Sequence, residues 1–461
     1  MTQLYKPRFA APTAQQDKLV SGIWIRWQAL TLAERVVCAS IVLIPLWWLL
    51  GIYRYFATLL LLGVIAYDWQ KYGEIRLKSP SIPVIALMTF GAYQVAKIIT
   101  AYSVSGRDTF TTVFLLTFCP AIWLWYVQSN HIKIRLAVVT WACTVSAVQM
   151  VAFWALLQFV IPETVFIPPR LQNVYAFLTD QGEMEGFINN PNFLQPYANY
   201  GNSIGERRYN LFFIYPEFFA VFAGFIGLVA LEIKNRLWSL LLLFGGVFLI
   251  VISGTRAVWV SFPILVISYY VLKNLTKLWG PPIICALIAL ISFTTLSLPP
   301  VTSTIANTFS QTTQSVSEAR ENSTDVRNAI YRQTWQDLLG NEDALIWGFP
   351  SSGSAIAVTG SNNNAVVGSH SFILGNLLYR NGIIGTTIFA VFWGSLFMWF
   401  YQTRAGRPLF CFCVLIFYTL LAPTTPIIYE MHVSGLLIVL CAALRSPKPK
   451  LPGVRKSCVS F

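Results

Sequence analysis

The chain is poor in charge. Of its 461 residues only 11% are Asp, Glu, Lys or Arg, against about a quarter in soluble globular domains. Hydrophobic residues make up 56% and the mean hydropathy is +0.59. That combination excludes a soluble enzyme and predicts an integral membrane protein. Histidine is nearly missing, with only three residues, His131, His370 and His432. The eight cysteines fall in apolar stretches or, for Cys458, in the tail, and none lies in a long polar stretch. Neither a disulfide framework nor a zinc spacing follows, and Cys411 and Cys413 are expected to face lipid or core. No internal repeat is evident, and the one polar tract, 361–364, reads as a turn. Residues 1–35 are polar and basic and lack an apolar core with a small-residue cleavage site, so they read as a cytoplasmic arm rather than a signal peptide. The alternation expected of barrel strands is also missing, which makes the class all-α and polytopic. A net charge of +13 would point to nucleic acid in a soluble chain. Here the basic residues sit in short loops, where they set orientation, so nucleic acid is not an expected partner.

What the chain does have is apolar stretches long enough to cross a hydrocarbon core of about 30 Å as helices of roughly 20 residues. Twelve are read, at about 36–53, 55–67, 81–104, 109–127, 136–161, 211–231, 237–252, 257–272, 278–298, 383–401, 409–421 and 426–443. The charges divide accordingly. With the N-terminus inside, every lysine lies on an inner segment except Lys97, which lies within a stretch. The outer segments carry only arginines among the cations: Arg54, Arg107, Arg170, Arg207, Arg208, Arg256, Arg320, Arg327, Arg332 and Arg380. The expected organisation is an arm at 1–35, a transmembrane unit at 36–443 with long outer loops at about 162–210 and 299–382, and a basic cytoplasmic tail at 444–461. Long loops without regular structure are often functional.

Several outer residues are candidates for chemistry. A guanidinium holds phosphate oxygens in a bidentate fork and stays charged at any relevant pH. Outer arginines can equally pair with Glu206, Glu318, Glu321 or Asp325. Ser253-Gly254-Thr255-Arg256 puts Arg256 in the first turn of a helix with Thr255 at the N-cap, so backbone N–H groups and a guanidinium face an anion at headgroup depth. That suits a lipid-linked diphosphate; the same arginine would also anchor a helix end to headgroups. The spacing over 324–339 predicts a helix with Arg327, Tyr331 and Trp335 on one face and Arg332 well around from it. This face serves a phosphate or sugar, or rests on the membrane. His370, just before the apolar run 372–379, is placed to accept a proton from a sugar hydroxyl, although a lone loop histidine is more often incidental. Arg207 and Arg208, beside Tyr209, are further candidate substrate contacts.

These stretches together resemble the O-antigen ligase and polymerase family of bacterial membrane glycosyltransferases, over roughly the second half of the chain. Ser253-Gly254-Thr255-Arg256 resembles the family's arginine at the outer start of a helix. Arg327-Asn328-Ala329-Ile330-Tyr331 resembles its loop arginine followed by an aromatic, Trp347-Gly348-Phe349 its glycine turn, and 368–385 its closing block of histidine, apolar run and Gly382-Ile383-Ile384-Gly385. The chain has Ser371 where the family commonly has Asn, and Glu217 where a Pro-Asn pair is usual. The resemblance implies a GT-C-like fold in the bacterial inner (plasma) membrane, with the active site facing the periplasm or exterior. It implies transfer of a saccharide from an undecaprenyl-diphosphate-linked donor to a lipid, glycan or protein acceptor, with no cofactor and no metal. On that resemblance Arg256 and Arg327 hold the donor diphosphate, and His370 activates the acceptor. Ligase and polymerase activities both remain open, and so does a secondary transporter, for which Lys97, Glu217 and the Glu430 and His432 pair supply charges within or near the apolar stretches.

Overall fold

The computed structural model describes residues 20–21, 24–52, 55–75, 77–100, 106–161, 165–166, 171–180, 182, 191–198, 208–275, 321–349, 353, 355–356, 365–368, 371–425 and 431–445. Helix α1 (Leu32–Val42) starts at a capping box: the Glu34 N–H donates to Thr31 Oγ1 at 3.3 Å, and the Thr31 N–H donates to Glu34 Oε2 at 3.0 Å. Pro45 opens α2 (Ile44–Leu50) and cannot continue the α1 ladder, so the two helices meet at 64°. There follow α3 (Phe56–Tyr72), α4 (Ile82–Thr100), α5 (Gly106–Val113) and α6 (Cys119–Ser129). Pro120 removes a ladder donor early in α6, and the turn ahead of it, Phe114–Phe118, is widened to π form. The later helices are α7 (Leu136–Phe159), α8 (Val174–Thr179), α9 (Pro216–Ala230), α10 (Arg236–Ser253), α11 (Arg256–Leu275), α12 (Glu321–Leu339), α13 (Glu342–Trp347), α14 (Arg380–Gln402), α15 (Phe410–Leu421) and α16 (Met431–Ala443).

Helices therefore occupy the apolar stretches read from the sequence, except 278–298, which lies outside the described residues. Among the described residues six helices are long and apolar enough to cross a membrane, and the bent α1–α2 pair makes a seventh if it counts as one broken span. Apolar α9 and α15 are shorter. This is the architecture of a helical membrane protein.

Helix α9 is hydrophobic all round, and its residues from Phe218 to Ala230 are buried on every side, as such a helix must be. It packs on α10 through small residues: a Cβ on Gly246 would lie 3.1 Å from the Gly227 amide nitrogen and 3.2 Å from the Ala223 carbonyl. Without a strong hydrophobic drive in lipid, such backbone approach supplies the contact energy. Cys411 and Cys413 are both fully buried, so they face the core rather than lipid.

Strand content among the described residues is small: β1 (Val20–Ser21) pairs with β2 (Trp24–Ile25), β3 (Ile134–Arg135) with β6 (Leu444–Arg445), and β4 (Ala355–Ile356) with β5 (Ala365–Val366). The parallel β3–β6 pair ties the α6–α7 loop to the end of α16. At the same end of the bundle Arg135 grips buried Glu34 from two sides, Nε to Oε1 and Nη2 to Oε2, both at 2.7 Å. Glu232 Oε1 there accepts the Leu409 N–H at 2.8 Å, and Arg407 donates to the Cys441 carbonyl. The α6–α7 loop, the start of α1 and the end of α16 thus contact one another, and most of the residues singled out in the sequence lie at other helix ends, described next.

Candidate functional site

Two groups of side chains hold the residues singled out in the sequence. The first is the corner between α10 and α11. Gly254, at φ +63°, ends α10, and Thr255 precedes α11 with its carbonyl accepting the N–H groups of Val258 and Trp259 at 3.1 and 3.2 Å. Arg256 is the first helical residue and is half-buried. Arg208 comes to this corner from the first polar loop. It is 8% exposed, donates from Nε to the Ser253 carbonyl at 3.2 Å and from Nη2 to Thr255 Oγ1 at 3.4 Å, and forms an ion pair with Glu217 Oε1 at 3.0 Å. Its stem lies over Gly254, where a Cβ would come within 2.9 Å of Arg208 Cγ. Backbone pairing fixes this approach: the Ala198 N–H donates to the Arg208 carbonyl at 3.0 Å, and the Tyr209 N–H to the Ile252 carbonyl at 3.2 Å. Tyr197 and Tyr209 sit with ring centroids 5.4 Å apart, and burial pushes the Tyr197 phenol up to about 12, so it remains a proton donor.

The second group is built by the long polar loop. The buried seam of α12 is Ile330, Thr334 and Leu338, one helical turn apart, and Leu338 packs with Val367 and Tyr379 in a core of its own. Thr334 Oγ1 uses both its roles, donating to the Ile330 carbonyl at 2.6 Å and accepting the Gly368 N–H at 3.0 Å. Tyr331 is half-buried beside that seam, and Trp335 is exposed. Arg332, two residues from both Ile330 and Thr334 and so about 200° around the helix from each, is exposed. Arg327 falls within α12, and Arg207 and His370 lie outside the described residues.

The neighbours of His370 are nevertheless firmly held. On one side Gly368, at φ +76°, rests on the Tyr379 ring, which would meet a Cβ there at 2.7 Å from Cε1. On the other side Ser371 caps the π-helical turn Phe372–Tyr379 by accepting the Leu374 N–H at 3.1 Å, while the Phe372 and Ile373 N–H groups share the Ala422 carbonyl at 3.0 and 3.2 Å. Turns of this wide type cluster at functional sites.

Trp347-Gly348-Phe349 docks on the start of α14. Gly348 (φ 80°, ψ 160°) and Gly382 (φ 62°, ψ −171°) both adopt the region open only to glycine. Their backbones touch: a Cβ on Gly348 would lie 2.5 Å from the Gly382 nitrogen, and one on Gly382 2.6 Å from the Gly348 nitrogen. The Phe349 N–H donates to the Tyr379 carbonyl at 2.7 Å, and the two rings stack at 4.5 Å. Helix α4 clamps the joint from the side. The single Tyr93 hydroxyl proton is shared between the Trp347 and Asn381 carbonyls at 2.8 and 2.9 Å, and Lys97 Nζ donates to the Phe349 carbonyl at 3.4 Å and to that of Arg380.

The structure thus brings Arg208 and Arg256 together around Thr255, and joins the α12, glycine-turn and α14 segments into one unit. Sequence reasoning missed Tyr93, Thr334 and Tyr379 as parts of that unit, and missed Glu217 as the partner of Arg208. One signal was available: Lys97 is the only lysine that the sequence reading puts within an apolar stretch, and it donates to the Phe349 and Arg380 carbonyls. No protein-family model matches the chain, and no curated protein matches it in sequence.

Proposed function

We propose that this chain is a membrane glycosyltransferase that moves a saccharide from an undecaprenyl-diphosphate-linked donor to an acceptor hydroxyl at the outer face of the bacterial inner membrane, in the manner of an O-antigen ligase. The observation that carries the reading is the joint between Gly348 and Gly382. It unites two separate stretches of the resemblance, and with Thr334 and Tyr379 it anchors the chain on both sides of His370. In the proposed reaction the acceptor oxygen attacks the anomeric carbon, the bond from that carbon to the diphosphate oxygen breaks, and the acceptor proton passes to the His370 imidazole. Arg256 and Arg327 offset the charge that builds on the departing diphosphate, which preorganised cations do best where water is excluded. Arg256 suits this role because it combines a guanidinium with a helix start.

A secondary transporter is the weaker reading. Two of the charges that favoured it have structural partners, Lys97 on the loop carbonyls and Glu217 on Arg208. Purified protein supplied with a lipid-diphosphate-linked saccharide and an acceptor tests the proposal directly. Formation of the glycosidic bond supports it, and accumulation of saccharide across a vesicle membrane without bond formation sinks it. Polymerase and ligase separate by the glycan left behind when the gene is deleted: single repeat units mark a polymerase, and intact lipid-linked polymer marks a ligase.

A further inference from the structure

An apolar groove runs along α1, α2, α3, α6 and α16, enclosing about 130 Å³. It extends from Trp47 and Phe56 to Ile132, Ile134 and Ala443, that is, to the loop and helix end joined by the β3–β6 pair. Its wall is almost wholly hydrocarbon, and a dry apolar space of about 150 Å³ takes a benzene-sized guest. The groove therefore fits a short length of one hydrocarbon chain.

Cations crowd one end of it. The loop that contributes Ile132 and Ile134 also carries His131 and Lys133, both exposed. Lys78 Nζ lies 2.8 Å from His131 Nε2, and the β3–β6 register brings Arg445 beside Arg135. Burial, together with the charges of Lys78, Lys133 and Arg445, lowers the His131 pKa, so the ring is neutral and serves as an acceptor for the Lys78 ammonium. The carboxylates on the lining helices α1 and α3 are engaged elsewhere. Glu34 is fully buried against Arg135, and Asp68, 1% exposed, accepts the Tyr126 hydroxyl at 2.6 Å.

We infer that the groove and its cationic rim form a site for one anionic phospholipid, with part of an acyl chain against Trp47 and the phosphate against Lys78, Lys133 and Arg445. The charge of the rim selects the headgroup, and the hydrocarbon wall selects a lipid over a soluble phosphate. This site stands independently of the glycosyltransferase reading.

Trp47 lines the groove and supplies a reporter. The full chain is reconstituted in phosphatidylcholine vesicles containing increasing amounts of phosphatidylglycerol with brominated acyl chains, or of equally brominated phosphatidylcholine. The difference in fluorescence quenching between wild type and Trp47→Phe isolates the signal from the groove. Half-quenching is expected at a lower mole fraction of the brominated anionic lipid, and the preference should fall about fivefold for each of Lys78→Gln and Lys133→Gln. Should the variants not reconstitute, wild type at about 1 M salt, where the screening length is about 3 Å, should lose the same preference. Ala33→Phe, which fills the groove at its cationic end, should remove the preference for the anionic lipid. Equal half-quenching by the two lipids in wild type at low salt, or a preference that survives Ala33→Phe, overturns the assignment.

Discussion

Replacing Gly348 with alanine should release the glycine turn from α14 while leaving the membrane helices folded. At φ 80° and ψ 160° the residue occupies backbone space that only glycine enters freely, and an L-residue held there costs about 1–3 kcal/mol. The new Cβ would also stand 2.5 Å from the Arg380 carbonyl carbon and the Gly382 nitrogen, where non-bonded carbon atoms prefer about 3.5–4.0 Å. Both obstructing atoms are backbone, so the turn must back away by roughly 1 Å or more. That breaks the Phe349 N–H bond to Tyr379 and pulls the Trp347 and Phe349 carbonyls from Tyr93 and Lys97. Three bonds at about 0.5–1.5 kcal/mol each come to about 3 kcal/mol, or roughly a hundredfold in the open fraction of the turn. The small core of Leu338, Val367 and Tyr379, with Leu345, Leu374 and Leu378 packed against it, resists this. Hydrogen exchange at the Phe349 amide is the assay, with Gly394→Ala as control: Gly394 lies inside the same helix, and nothing stands within 4 Å of its Cβ position. There alanine should be neutral or add up to about 1 kcal/mol to helix stability. Unchanged Phe349 protection in Gly348→Ala would refute the close-packed joint.

Four other outcomes follow, the first from the proposed reaction and the other three from the geometry. His370→Ala should lower transfer about 10²–10⁴-fold, the usual contribution of a general base, and Arg256→Ala should abolish it, with both proteins still membrane-inserted in fractionation; near-normal product from His370→Ala removes that residue from the chemistry. Arg208→Ala leaves Glu217 without its ion pair and should cost about 2–3 kcal/mol in thermal unfolding, less than a fully buried pair because the Glu217 side chain is 23% exposed; an unchanged midpoint counts against Arg208 as a brace. Arg135→Ala strands the buried Glu34 carboxylate and should cost about 3–5 kcal/mol, with Glu34→Leu in the Arg135→Ala background restoring most of it. The His131 pKa is lowered in the folded protein by burial and by Lys78, Lys133 and Arg445, so the folded state binds fewer protons than the unfolded one. Its contribution is present above the unfolded pKa of about 6.5 and is lost as pH falls below that; His131→Asn should flatten the acid side of the stability profile, and an unaltered slope counts against the cluster.

How much of this was legible in the sequence depended on the range of the interaction concerned. Helices answer to local pattern, so the apolar runs were read from neighbouring residues; the Thr31 and Glu34 cap and the bend at Pro45 are just as local but were passed over, the arm having been run to 35 and 36–53 taken as one stretch. The α12 stripe was legible only in part. Its period was read, but the buried face is Ile330, Thr334 and Leu338, whereas the stripe read from the sequence, Arg327, Tyr331 and Trp335, lies one residue along. A threonine hidden because it serves a distant amide, that of Gly368, leaves no periodic signal. Charge patterning marked Lys97 as exceptional but not why, since its acceptors are backbone carbonyls, which have no sequence identity. Arg208 and Glu217 were likewise visible as two charges nine residues apart; only the return of the chain over Gly254 makes them a pair.

The two glycines carry the longest inference. Each alone is an ordinary turn signal, and each was read in a different motif. In space the backbone of one occupies the place where the other's Cβ would be, so the Gly-only conformations of Gly348 and Gly382 and their mutual contact are a single constraint. A change at either should therefore produce the same defect. Gly382→Ala must release the turn as Gly348→Ala does, because its Cβ meets the Ile346 carbonyl and the Gly348 nitrogen. The double variant should cost little more than either single one, since the joint can be opened only once. Fully additive losses would mean that the two glycines act separately, and the argument that this joint positions the chain on either side of His370 would lose its physical basis.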